Sequence, residues 1–267
     1  KDFTFVFGYP ARTSEYLPSF AVNLITEVTN PPKIKLRETR LDIFSKYANS
    51  DPKVRIQYAA KHAGVANYWK KMIGESKGIR RMNGIERKQA FEEKFMVWAD
   101  IVKGNFGGII PTFEKNYGEM EPYSLASDYV REAGLGIELI SFAARFNNLS
   151  EVNKETSDEK IQSLVKAAEG QVKSFFKDYY QPIDQEVAVA LLKLYRENQP
   201  ADFRPEVLNL IDEKYKGDVE AFVEMLFAKS IFNNEAAVND LLRNFDHRSV
   251  KKILKDPAFQ AYESMRD

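Results

Sequence analysis

Few residues in this chain carry chemistry. Histidine occurs twice, as His62 and His247, and cysteine is absent. That removes disulfides, thiolate nucleophiles and cysteine-based metal sites. Neither histidine has a second His or a carboxylate at zinc-ligand spacing, and no HExxH run occurs, so no metal site is expected and no cofactor is implied. His62 falls in the stripe Tyr58, His62, Val65, Trp69, Met72, an inward helical face, and reads as a core or half-buried histidine. His247 follows Asp246 at a helix start and reads as a surface or capping residue.

Gly74-Glu-Ser-Lys-Gly78 has the letters of the GxSxG nucleophile elbow. That motif works only where an apolar strand runs into a sharp turn and then a helix, lifting the hydroxyl above a sheet. The residues before Gly74, Val65 to Ile73, have helical character, so the stretch reads instead as a loop that ends a long helix. Gly134-Leu-Gly136 lacks the third glycine and the preceding strand of a dinucleotide loop. Asn148-Leu-Ser150 is a formal glycosylation sequon of a kind that arises by chance.

Asn67 is the remaining candidate. It shares a helix face with the small residues Ala60, Ala63 and Gly64, between Tyr68 and Trp69 on one side and Ala66 on the other. Asn is a poor helix-interior residue because its amide competes for backbone groups. Two roles fit: closing a tight helix crossing by hydrogen-bonding a neighbouring backbone, or contacting a ligand that approaches the small-residue face.

The elements that must position these residues are helices. Asp51-Pro52 and Asp256-Pro257 each pair an N-cap with a Pro at the first helical position. Pro31-Pro32 is expected to end one helix and start the next, Lys33 to about Tyr47, followed by one over 52–75. Thr156-Ser-Asp-Glu159 has capping-box spacing ahead of Ile161, Leu164, Val165 and Ala168. Further helices are expected at 184–197, 204–214, 217–231, 235–244 and 248–254. Gly104, Gly107 and Gly108 mark a loop, and Gly118 to Pro122 a second break. The fold class is all-α, an irregular multi-helix array or bundle. One segment differs: Phe3-Thr-Phe-Val-Phe7 followed by Gly8-Tyr9-Pro10 has a strand-then-turn signature. It is either a frayed arm or a strand whose partners belong to a host domain.

Composition agrees with a globular unit. The 267 residues are 44% hydrophobic and 29% charged, enough for a sizeable core. Lys plus Arg is 39 and Asp plus Glu is 39, without the cationic excess that a duplex-binding surface needs, so nucleic acid is not an expected partner. The longest apolar run, Val187 to Leu192, is far short of a membrane span. The chain opens at Lys1-Asp2-Phe3 with no leader-like segment, so it is expected to have lost a targeting signal or to be an excised piece.

Phe5-Val-Phe-Gly-Tyr-Pro-Ala-Arg-Thr13, Tyr16-Leu-Pro-Ser19, Asn30-Pro-Pro32, Ala66-Asn-Tyr-Trp-Lys70 and Asp256-Pro257 resemble the bacterial dipeptidyl-peptidase 7/11 family. Ala11 stands where that family usually has Gly. Its members are serine exopeptidases in which a chymotrypsin-like double β-barrel carries a large helical insertion. The resemblance implies that residues 1–14 are a strand and turn of the flanking peptidase barrel, and that 15–267 form a helical cap domain over the active-site cleft. It implies that no catalytic residue lies in this segment: the triad His and Asp precede Lys1 and the Ser follows Asp267. By its place in the ANYWK block, Asn67 matches the family residue that holds the free α-amino group of an oligopeptide substrate. A periplasmic or cell-surface location and a homodimeric parent are further implications. The rival expectation is a stand-alone helical binding or scaffold module without enzymatic activity.

Overall fold

A computed structural model describes residues 14–102 and 104–266, with Phe3, Phe5 and Phe7 singly. Thr4, Val6 and Gly8–Pro10 of the strand and turn expected at the N-terminus lie outside the described residues. What is described is helical, with no strand among the described residues, in agreement with the all-α expectation.

The chain enters through α1 (Ser19–Asn23), which passes through a π-helical stretch, Leu24–Thr29, into α2 (Asn30–Ser50). Pro31 and Pro32 therefore do not separate two helices, as their sequence suggested; they sit in the first turn of α2. Proline has no N–H to give to the turn before it. The π-helical turn accommodates this, with the Asn30 N–H reaching back to the carbonyl of Ile25. A carboxylate from elsewhere in the chain caps α1: buried Glu92 accepts from the Ser19 N–H and hydroxyl, both at 2.6 Å.

Asp51 ends α2 and starts α3 (Pro52–Arg81), accepting from the Lys53 N–H at 2.8 Å. The one-residue connection folds α2 and α3 into an antiparallel pair. Phe44 meets Tyr58 edge-on at 5.2 Å near the connection. At the far end Asn30 Nδ2 donates to Ser76 Oγ at 3.1 Å. The helix does not stop at Gly74 as expected; it runs through Gly74 and Gly78 to Arg81. Met72 and Ser76 are buried against α2, while both glycines lie outward with nothing near where a Cβ would stand. Inward packing outweighs the roughly 1 kcal/mol that each helical glycine costs.

Next come α4 (Gly84–Ile101), the glycine loop around residues 104–108, and α5 (Ile109–Tyr129). The break expected from Gly118 to Pro122 is also absent, because Pro122 lies inside α5. A second π-helical turn, Val130–Gly134, leads through Leu135–Ile137 to α6 (Glu138–Ala144) and the short α7 (Asn147–Ser150). The rest of the chain is α8 (Asp158–Lys177), α9 (Gln181–Asn198), α10 (Glu206–Tyr215), α11 (Val219–Lys229), α12 (Glu235–Arg243), α13 (Val250–Leu254) and α14 (Pro257–Arg266). These follow the expected boundaries within a few residues. The α8 cap is Ser157, one residue beyond the expected Thr156.

The core is richest where α6, α8, α9 and the Ile231–Asn233 turn converge. Phe142 is fully buried and stacks on Phe175 with centroids 4.0 Å apart, with Phe146, Phe176 and Phe232 edge-on or tilted around them. Two buried carboxylates tie helix ends into this core. Asp184 of α9 accepts from the N–H groups of Glu138 and Leu139 at the start of α6. Asp256 caps α14 through Ala258 and Phe259 and also holds Ser230 and Ile231. In contrast, α4 and the first half of α5 expose Phe91, Val97, Trp98, Ile101 and Phe113.

Candidate functional site

Three of the sequence candidates are absorbed into the packing. Ser76 is 4% exposed inside α3, and its hydroxyl accepts from Asn30; it has neither the strand nor the turn of a nucleophile elbow. His62 is half-buried, with Nε2 3.5 Å from Ser45 Oγ. His247 is half-buried in the turn before α13, where Asp246 does the capping by accepting from the Arg248 and Ser249 N–H groups.

Asn67 stands apart from these. It lies in the middle of α3 on the side turned away from α2, exposed, together with exposed Ala60, Ala63 and Gly64. No described side chain or backbone group hydrogen-bonds it, and a Cβ added at Gly64 would meet nothing within 4 Å. The asparagine that closes the α2–α3 crossing is Asn30, 2% exposed, whose amide donates to Ser76 and Glu75. Trp69, two residues on, packs against the core instead. Alternation along α3 thus anchors the helix with Val65, Trp69 and Met72 and leaves Asn67 facing outward.

Beside this face is a cavity of about 580 Å³ between α2, α3, α6 and α8. Tyr68 and Gly64 form part of its wall, so it opens next to Asn67 on the same helix. Charge dominates it. Arg37 donates to Glu132 Oε1 at 2.6 Å and lies 5.4 Å from the Tyr68 ring centroid. Lys61 pairs with Glu138 and donates to the Asp178 carbonyl at 2.6 Å. Behind Glu138, Asp184 is fully enclosed. Burial, and then the neighbouring Glu138 carboxylate, push its carboxyl up to about 7, although backbone donors pull the other way. Burial also raises the Tyr58 and Tyr179 phenols and lowers the Arg40 guanidinium.

Sequence reasoning did not find this cluster. Its ion pairs join residues 95 and 77 positions apart, so no local spacing announces them. One available signal was Arg37 and Arg40 interleaved with apolar Leu36, Leu41 and Phe44, which places two guanidinium groups on the half-buried side of α2.

The fold and this face define an all-helical unit that leaves one polar helix surface open beside a charged cavity. A family model described as Peptidase S46 matches residues 1–267, and the chain belongs to that family. It is 36% identical over 273 residues to an Asp/Glu-specific dipeptidyl-peptidase of Flavobacterium psychrophilum, covering 100% of this chain and 37% of the relative. It is 31% identical over 272 residues to a dipeptidyl-peptidase 7 of Porphyromonas gingivalis, covering 99% of this chain and 36% of that protein. The crystal structure of Porphyromonas endodontalis DPP11 in complex with dipeptide Arg-Glu superposes with a TM-score of 0.78 at 25% identity, over 97% of this chain and 37% of that one. The chain thus spans little more than a third of the length of these relatives.

Proposed function

We propose that this chain is the helical cap domain of a serine dipeptidyl-peptidase that removes dipeptides from the free N-terminus of peptides, and that Asn67 accepts a hydrogen bond from the substrate's α-ammonium group. The observation that carries the proposal is Asn67 itself. It is exposed and without a hydrogen-bond partner among the described residues, on a face of small side chains that lets a ligand approach the helix. An α-ammonium offers three donors, and the amide carbonyl accepts one without adding a second titrating charge. Holding the amine at a fixed depth lets only two residues reach the nucleophile and supplies the orientation that acyl transfer needs. The triad His, Asp and Ser are then contributed by the flanking barrel of the same polypeptide, which we place in the periplasm or at the cell surface, as a homodimer.

The uncovered apolar side chains of α4 and α5, such as Phe91 at 70% and Ile101 at 77% exposure, support a unit that meets other parts of a larger protein. The test compares the 267-residue chain with the longer polypeptide on dipeptidyl fluorogenic substrates. The longer polypeptide is expected to release dipeptides and this chain alone to release none. Hydrolysis by the chain alone would overturn the assignment.

A further inference from the structure

We infer that the cavity between α2, α3, α6 and α8 is a binding site for a small organic carboxylate, with Arg40 as its anchoring cation and Arg145 at its rim. The inference rests on this chain's own charges, independently of the role given to Asn67.

Four cationic side chains line the cavity: Arg37, Arg40, Lys61 and Arg145, against the carboxylates of Glu138 and Asp178. Two of the cations are committed, Arg37 to Glu132 and Lys61 to Glu138. Arg40 is not. Among the described residues its guanidinium has no ion pair and no hydrogen bond, and its Nε is sealed from solvent without an acceptor. The carboxylates whose field reaches it, Glu132, Glu138 and Asp184, are each held by other donors: Arg37, Lys61, and the backbone N–H groups that open α6. Arg145 is exposed at the edge of the same cavity, also without an ion pair among the described residues.

A half-buried guanidinium whose Nε is sealed from solvent without an acceptor is an unfavourable arrangement unless something accepts from it. The planar fork matches a carboxylate in two-point contact. Phe44, Leu135 and Tyr68 add apolar and aromatic wall, which suits an organic acid or an acidic peptide end over a bare inorganic ion.

The test is calorimetric titration of the 267-residue chain with Gly-Gly-Glu, with Gly-Gly-Gln amide, and with inorganic phosphate. Binding of Gly-Gly-Glu, much weaker binding of the amide, and weaker binding of phosphate are expected. Arg40→Gln should weaken Gly-Gly-Glu roughly tenfold or more, the loss of one charge-assisted contact. Because Arg40 is partly buried, Arg145→Gln serves as a second variant. Its side chain is exposed, so its melting temperature should match the parent while its affinity for Gly-Gly-Glu falls several-fold. Equal affinity for Gly-Gly-Glu and the amide would overturn the proposal, as would phosphate binding more tightly than the peptide. So would wild-type affinity in an Arg145→Gln protein that melts like the parent.

Discussion

Asp184 on α9 accepts from the backbone N–H of Glu138 at 2.6 Å and from that of Leu139 at 2.8 Å, so a carboxylate from one helix caps another. The Glu138 side chain leaves that cap toward Lys61. The helix cap and the charged cavity beside Asn67 are therefore consecutive parts of one polar chain through the core.

This arrangement makes stability depend on pH in a definite direction. Burial and the Glu138 charge push Asp184 up to about 7, above the roughly 3.9 of an unfolded Asp. Between those values the folded protein holds a proton that the unfolded chain has released. The stability contributed is complete below about pH 4 and is lost as pH rises through about 7. Asp184→Asn removes the titration and one of the two backbone acceptors. Its Tm should lie below wild type at pH 5, and the gap should narrow by several degrees by pH 8, at about 2–4 °C per kcal/mol. Thermal melts across that range check this, and a gap that widens with pH would contradict it.

Glycines in α3 and before α6 should respond oppositely to alanine. A Cβ at Gly74 or Gly78 meets nothing within 4 Å, so Gly74→Ala and Gly78→Ala should each stabilise by about 0.5–1 kcal/mol. At Gly136 a Cβ would stand 2.1 Å from the Glu132 carbonyl oxygen, and backbone cannot move aside cheaply. Gly136→Ala should lower Tm sharply or prevent folding. Denaturant titration of the three variants decides.

Ser76→Ala should leave the peptidase activity of the longer polypeptide unchanged. It should cost about 1 kcal/mol of stability, because buried Asn30 loses one acceptor. A loss of hydrolysis with stability intact would revive the nucleophile elbow.

Phe142 is the most connected ring of the aromatic cluster and is fully buried. Phe142→Ala should cost about 3–5 kcal/mol, whereas Phe91→Ser on exposed α4 should stay within about 0.5 kcal/mol in this chain. Unfolding of both variants, followed by circular dichroism, measures the contrast.

Much of the helical plan was legible because its signals are local. Asp51 and Asp256 cap where an acid precedes a proline at a helix start, and α9 to α13 lie close to the expected spans. The errors share one cause. Gly74, Gly78 and Pro31 are breakers on local grounds, yet each lies where neighbouring residues pack inward or where a π-helical turn leads into a first turn that tolerates it, while Pro122 sits in the interior of α5. Asn67 was legible as an odd residue on a small-residue face, and the structure adds that the face is open. The cavity was not legible, since Arg40, Lys61, Glu138 and Asp178 meet only after α2, α3, α6 and α8 have packed.

The most direct measurement is kcat/KM of the longer polypeptide and its Asn67→Ala variant, on a free-amine dipeptidyl substrate and on its N-acetylated counterpart. Removing one hydrogen bond to a charged amine costs about 1.5–3 kcal/mol, so kcat/KM on the free-amine substrate should fall roughly 10- to 150-fold. The acetylated substrate carries no ammonium, so its much slower hydrolysis should change little. Tm should stay near wild type, because Asn67 is exposed and bonds nothing in the described chain. An equal loss on both substrates, accompanied by a lowered Tm, would contradict the amine-anchoring role.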